Sequence, residues 1–426
     1  MPTTTCPSSP PLAPQHPPRS TPFPDLLFLS LEPWDDIWRR NQFLTATLAK
    51  RHPHAKFLFV NPARDLSNAL RRRDFSTLNP DPLISSPPGM EGGNIFLTRP
   101  TKLLPNSLAP ARRFNEALLR RHVRKAARAL GLQNPLLWLN PHSAVHMVGR
   151  MHESAALYDI TDDWTTFTQP PRHTALIRRQ DAALCQKADA VIVCSQKLLD
   201  LKRPLIGQRP AGSENLYLIP NGVDADHYAK IGDPSFPAAP AAAHWPKPVF
   251  GYTGTIHPDR VDLALLSHLA ASLQKGSLVL VGPNHLPPDA LARFAAHKNV
   301  FFTGPVPYAQ IPAYMQAFDV CITPHRMTPF TESLNPIKLW EYLAAGKPIV
   351  STDVAGFRDY PQHVSIASTP EDFTRALHAA LAEDPAKPRA RRAEARRHSW
   401  ESRVEQVESV IASVMHARER TAVHAG

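Results

Sequence analysis

Lys338 and Glu341 stand three residues apart in SLNPIKLWEYLAAGKPIVSTD, residues 333–353. Asn335-Pro336 suits the opening of a helix with proline in its first turn, and Gly346 followed by Pro348 suits its end. The two side chains then share one helical face near the N-terminus. Free backbone N–H groups and the positive end of the helix dipole suit a phosphate there. A carboxylate one turn deeper has two acceptor oxygens, enough for both hydroxyls of a ribose. An ordinary surface Glu–Lys pair is the competing reading.

Other residues of similar character follow short apolar runs. Trp34-Asp35-Asp36 and Trp38-Arg39-Arg40-Asn41 come after LLFLSL; aromatics stack on sugar rings, and Asp, Asn and Arg bind hydroxyls or phosphates. Aspartates capping a helix explain the same segment. Tyr158-Asp159 and Asp162-Asp163-Trp164 follow a second run, where adjacent carboxylates orient an acceptor hydroxyl or cap a helix. His142 and His146 follow LLWLN, while His325 and Arg326 follow DVCITP and stand nearer in sequence to Lys338. Asp224-Ala225-Asp226 spells a metal-binding DxD, but it lies in the turn-forming NGVD segment, and no His/Cys/carboxylate cluster accompanies it. No metal site and no cofactor is expected.

The elements that must position these residues are strands at 26–31, 57–60, 94–97, 136–139, 156–159, 190–194 and 217–219. A second set lies at 249–252, 277–281, 300–302, 320–323, 348–351 and 364–367. Each is short and apolar, bounded by Gly, Pro, Asn or Asp, and helical periods fill many of the gaps. The pattern predicts an α/β chain of two Rossmann-like doubly wound domains. Ligands of such sheets bind beyond the carboxyl ends of the strands, where the candidate residues fall. The expected division is a disordered Pro-rich tail at 1–24, a first domain at 25–233, a Pro/Ala-rich linker at 234–248, a second domain at 249–398 and an amphipathic helix at 399–420.

Several segments occur in an order that resembles the group-1, family-4 class of retaining glycosyltransferases with the GT-B fold. They are NGVD (221–224), GYTG (251–254), LVLVGP (278–283), residues 299–324 and the 333–353 segment. The likeness is looser through WDDIWRRNQFL (34–44) and YDITDDW (158–164), which resemble a subgroup that builds bacterial surface polysaccharides. The resemblance implies a donor domain in the second half facing an acceptor domain in the first. It implies transfer of a sugar from a nucleoside diphosphate sugar, as co-substrate, to a hydroxyl of a glycan or lipid-linked acceptor, without a metal and with retention. On that pattern the donor residues are Gly254, Arg260, Ser333, Asn335, Lys338 and Glu341. Asp162, Asp163 and His325 are the catalytic candidates, and Trp34, Asp35 and Arg40 the acceptor-binding ones. The last helix is expected to pack back on the first domain.

Two departures carry information. The class usually shows two glutamates seven residues apart, yet the position before Glu341 holds Ser333, with Glu332 one residue out of register. The expectation is that this chain dispenses with that carboxylate. An Arg/Lys pair usually follows the GYTG-like turn; only Arg260 stands near it here, so Lys338 is expected to supply the missing charge. A sugar-nucleotide epimerase of the same fold and a non-catalytic nucleotide-sugar-binding scaffold are the alternatives.

The net charge of +11 is concentrated in two segments, 112–128 with seven basic groups and 387–397 with six. The rest of the chain is neutral, which argues against a nucleic-acid partner. Residues 111–130 form an amphipathic pattern, with Phe114, Leu118, Leu119, Val123, Ala126 and Leu130 opposite the basic groups. Its basic side is either simply solvated or docks on an anionic membrane surface. With no apolar stretch of membrane-spanning length, no signal-peptide pattern and four scattered cysteines, the expected setting is cytoplasmic, with peripheral attachment to the inner face of the membrane as the extension.

Overall fold

The computed structural model describes residues 22–73, 81–207 and 215–425. The expected tail, residues 1–24, falls mostly outside them. Runs such as LLFL, FLFV, LLWL and AVIV are buried along their whole length, as strands covered on both faces must be. In the first sheet these are β1 (Leu26–Leu29), β2 (Phe57–Val60), β3 (Ile95–Thr98), β4 (Leu136–Leu139), β5 (Ala155–Ile160), β6 (Ala190–Val193) and β7 (Leu216–Leu218). They pair in parallel in the order β3-β2-β1-β4-β5-β6-β7.

The second sheet holds β8 (Val249–Thr253), β9 (Ser277–Val281), β10 (Val300–Gly304), β11 (Val320–Thr323), β12 (Ile349–Thr352) and β13 (Ser365–Ala367). Its order, β10-β9-β8-β11-β12-β13, is also fully parallel. Both sheets reverse direction of winding beside their first strand, which opens a crevice at its carboxyl end. The two crevices face each other. This is the GT-B arrangement.

Alternation along each strand feeds two cores per sheet. Phe28, Phe57, Phe59 and Trp138 point to one face with Phe43 and Leu44 of the helix Arg40–Arg51; Leu27, Leu58, Leu137 and Val191 point to the other with Val123 and Leu184. Gly251 in β8 is required by packing, because a methyl group there would overlap the ring of Phe318.

Three placements differ from expectation. The chain crosses between the layers earlier than the Pro/Ala-rich segment: Ile219 belongs to the first sheet's core and Val223 to the second's. Residues 234–248 are not a free linker, since Ala239 N donates to Ala313 O at 2.9 Å and Trp245 is buried in the second core. Pro336 caps the helix Ile337–Ala345 instead of lying in its first turn.

The helix Trp400–Ala425 returns to the first sheet. Trp400, Val404, Val407, Val410, Ile411 and Val414 pack into its core, and Trp400 stacks on Phe43 at 4.8 Å. The two crossings lie side by side, with Val223 N donating to His398 O at 2.9 Å. Part of the second basic segment has a structural explanation. Arg391 is buried, paired with Glu383, and donates to His363 O and Gly346 O; Arg392 donates to Ala345 O, so both serve the carboxyl end of the Ile337–Ala345 helix.

Candidate active site

The loops beyond the strands enclose a cleft of about 490 Å³ between the layers. On the second sheet's side, β8 ends in Thr253-Gly254-Thr255 and β9 in Gly282-Pro283. Tyr342 receives the Thr253 N–H at 2.9 Å, and Gly254 N donates to Val281 O at 2.7 Å. A side chain at Gly282 would overlap Gly254 O, so glycine lets the two turns touch. Gly254, with φ of 129°, presents its bare Cα to the end of Lys338.

Lys338 reaches back from its helix to this turn, with Nζ 5.5 Å from the centre of the Tyr252 ring. Burial lowers its pKa to about 8; the Arg260 charge adds to the effect and Glu341 opposes it. Glu341, one turn further, is pushed up by burial and pulled back by Lys338. His325 is buried, with Nε2 3.2 Å from the Tyr252 hydroxyl and Nδ1 without a partner. Burial holds it neutral, reinforced by Lys338 and Arg260. Arg260 lies over Phe330 at 5.6 Å. Asn335 borders the same cleft and is clasped by the crossing segment: Asn221 N donates to Asn335 Oδ1 at 2.8 Å and Asn221 Nδ2 to Asn335 O at 2.5 Å.

The opposite wall comes from the β1 and β5 loops and holds Glu32, Trp38, Arg39, Arg40, Thr161, Asp162, Trp164 and Phe167. Phe167 meets Phe330 at 5.1 Å and His257 at 5.8 Å, closing one end of the cleft with aromatic contacts across it. Burial raises the Asp162 carboxyl pKa, while Arg260 and the Thr161 hydroxyl lower it.

The structure thus brings Gly254, Arg260, Asn335, Lys338, Glu341, His325, Asp162 and Arg40 to one cleft and leaves Trp34, Asp35, Asp163 and Ser333 outside it. Trp34 is packed edge-on against Phe59 at 5.0 Å, and its backbone N–H donates to Asn61 Oδ1; Trp38 is the tryptophan of that segment at the cleft, stacked on Tyr308 at 6.1 Å. Asp35 is turned to its own loop, accepting from Ile37 N and Arg39. Neither aspartate of Trp34-Asp35-Asp36 caps the following helix, whose N-cap is Arg39. Asp163 points behind the wall, where Thr165 N–H and hydroxyl donate to it and Lys202 lies 4.0 Å away.

Ser333 is fully buried. Its hydroxyl donates to Phe330 O and accepts from Asp163 N at 3.3 Å, while its carbonyl accepts from Ser195 at 2.6 Å. It ties the two layers together instead of facing a donor. Glu332 is held by Arg358 in a bidentate pair at 2.8 and 2.9 Å, outside the cleft. Arg40 borders the cleft but is committed to Asp159 and Asn221, leaving only Nη2 without a partner. His142 bonds Gln180, His146 bonds Arg120, and Asp224 caps His227 N, so none of these serves the cleft. The residues that sequence reasoning missed are Glu32 and Tyr308; the rule that ligands sit after strands would have selected Glu32, directly behind LLFLSL.

Restoring a glutamate at Ser333 is therefore expected to harm the protein. Ser333→Glu would bury a carboxylate where hydroxyl and backbone groups now interlock, costing about 3 kcal/mol or more. Urea denaturation should show that loss, with no gain in nucleotide-sugar affinity.

Two parallel sheets facing a cleft that is basic on one wall define a protein of the GT-B class. Residues 247–383 match the family described as Glycosyl transferases group 1. A curated relative is 26% identical over 249 residues: TuaH of Bacillus subtilis strain 168, named as a teichuronic acid biosynthesis glycosyltransferase. The match covers 57% of this chain and 61% of TuaH. Among solved structures, sucrose-phosphate synthase from Thermosynechococcus elongatus superposes with a TM-score of 0.65 at 16% identity, over 92% of this chain and 100% of that one. HepE of Anabaena, solved with UDP-glucose, gives a TM-score of 0.62 at 17% identity, over 91% and 99%. These likenesses establish the fold.

Proposed function

We propose that this chain transfers a sugar from a nucleoside diphosphate sugar to a hydroxyl of a glycan or lipid-linked acceptor, without a metal and with retention, in the synthesis of a surface polysaccharide. The observation that carries the reading is the meeting of Lys338, Arg260 and the Gly254 turn in one cleft with Glu341. The cations and the first N–H groups of the Ile337–Ala345 helix suit a diphosphate, and Glu341 suits a ribose. Catalysis on this reading is positional and electrostatic: Lys338 and Arg260 stabilise the charge that develops on the leaving diphosphate. The name of TuaH supports the polysaccharide setting. The direct test is a thermal-shift panel of UDP, GDP, ADP and TDP sugars, followed by anomeric analysis of the product; bound donor raises apparent stability by mass action. No shift with any donor refutes the reading.

A lipid-linked acceptor also suits the helix Ala109–Ala129, which we propose docks on an anionic membrane face. No described helix is long and apolar enough to cross a membrane. Only the middle and later part of this one is anchored, through Asn115, Val123, Ala126 and Ala127. Arg113, Arg121, Lys125 and Arg128 are exposed, and Phe114, on the apolar side of the sequence pattern, is 48% exposed, as Leu108 is at 68%. Basic groups contribute about 1 kcal/mol each near such a surface. Reversing those four charges is expected to weaken binding to phosphatidylglycerol vesicles by at least 10²-fold in a low-salt flotation assay. Equal wild-type binding to neutral vesicles counts against it.

A further inference from the structure

The charged groups of the cleft stand in an order. Glu341 lies towards Tyr228 and Tyr308, whose hydroxyl pKa values burial and then its charge push up. Lys338 meets the Gly254 turn, and Arg260 reaches towards Asp162 on the opposite wall. A diphosphate against Lys338 and Arg260, with its ribose at Glu341, leaves the sugar on the Arg260 side. His325, which follows β11, is fixed on that side. Arg326 N donates to Arg260 O and Asp262 N to Pro324 O, both at 2.8 Å, and Thr352 Oγ1 donates to His325 O at 2.8 Å.

His325 is only 2% exposed, yet it lines the cleft. Its hydrogen bonds define its tautomer. A carbonyl oxygen cannot donate, so the single Tyr252 hydroxyl proton goes to Thr255 O at 3.2 Å. Tyr252 Oη then accepts from His325 Nε2–H, also at 3.2 Å. Nδ1 is left as a bare acceptor, and no donor among the described residues meets it. Burial, with the Lys338 and Arg260 charges behind it, opposes a second proton on the ring. Buried polar atoms are nearly always paired, so this one calls for a donor. Lys338 shares the same tyrosine, its Nζ lying over the ring face, and donates to no described residue.

Resting on the glycosyl-transfer reading, we propose that His325 Nδ1 accepts a hydrogen bond from a ring hydroxyl of the sugar being transferred, and so selects the donor by its sugar. Lys338, drawn from the Tyr252 ring to the diphosphate, opens the approach. Ser333 is interlocked with Asp163 and Ser195, and Glu332 is paired with Arg358. His325 therefore supplies an acceptor on the donor wall that neither of them can. The contact lies away from the anomeric carbon, so it takes no part in the bond exchange and is compatible with retention. A sugar without that hydroxyl leaves Nδ1 unpaired, which is what makes such a contact selective.

The test is calorimetry on the full chain with UDP, GDP, ADP and TDP, each alone and carrying glucose, galactose or mannose. The quantity read is the affinity that the sugar adds to its nucleotide. Glutamine places an amide N–H near Nε2 and keeps the Tyr252 contact, whereas asparagine places its oxygen near Nδ1. His325→Gln is expected to cut the sugar's contribution by about 10-fold and leave the plain nucleotide's Kd within about twofold. His325→Asn retains most of that contribution. In the wild type, one monodeoxy form of the best-bound sugar should bind about 10-fold more weakly, a difference that vanishes in His325→Gln. An undiminished sugar contribution in His325→Gln overturns the role of His325 alone, since solvent then meets Nδ1. So does an equal loss for plain and sugar-bearing nucleotide, an equal loss in both variants, or a wild type to which no sugar adds affinity. A wild type that binds none of these nucleotides overturns the glycosyl-transfer reading, and this one with it.

Discussion

Lys338→Met is expected to leave a protein that is more stable at pH 7 than the wild type yet binds its donor more weakly. Lys338 holds a half-buried ammonium in the cleft, with its pKa lowered to about 8 from 10.5. Between those two values the unfolded chain binds a proton that the folded one has released, so stability rises with pH across the window. Below pH 8 the penalty is present in full, and above 10.5 it vanishes. The whole shift corresponds to roughly 3 kcal/mol, and water reaching the cleft reduces this to on the order of 1–2 kcal/mol. Methionine keeps the length of the side chain and removes the charge. The melting-temperature gap between variant and wild type should be widest below pH 8 and close by pH 10.5. Donor affinity should fall by about 10-fold to 10²-fold, as expected when a hydrogen bond to a charged group is lost. A variant that is less stable at pH 7 and binds donor normally would falsify this account of Lys338.

Gly254→Ala should injure both properties at once. The new methyl group overlaps Cε and Nζ of Lys338, and the residue must keep a φ of 129°, which L side chains rarely adopt. Strain of that kind costs about 1–3 kcal/mol, to which displacement of Lys338 adds. Donor affinity is expected to drop at least as far as in Lys338→Met. The two contributions separate in a double-mutant cycle followed by urea denaturation. In a Lys338→Ala background the overlap is gone, and Gly254→Ala should cost only the strain. Strict additivity would show that the methyl group never met the lysine.

How far the sequence revealed this arrangement depended on how local the causes were. Strands such as LLFL and AVIV were legible because burial on both faces leaves an apolar run that does not depend on any distant partner. The donor wall was legible for the same reason: Lys338 and Glu341 share one helix, whose start and stop are written beside them. The other wall was not. Which tryptophan of WDDIW turns inward is decided by Asn61 and Phe59, and which turns to the cleft by Tyr308, more than 250 residues away. Ser333 sits at the counted position, yet its direction is set by Asp163 and Ser195 across the layers. The charge of Arg391 and Arg392 could be counted but not assigned, since the carbonyls they serve belong to a helix some 45 residues earlier. The crossing at Ile219–Val223 carries no Pro/Ala signature and was displaced to the segment that does.

The return of the last helix has a consequence for how the chain matures. Trp400, Val404, Val407, Val410, Ile411 and Val414 are part of the first sheet's core, so that core lacks one of its covering layers until synthesis has passed Val414. Meanwhile Phe43, Leu44 and Leu48 await their partners through the synthesis of the entire second layer. The nascent first half therefore leaves the ribosome with an apolar face open, and the second layer, which needs only the helices Pro370–Ala380 and Lys387–Arg396 beyond its last strand, is the half that can close first.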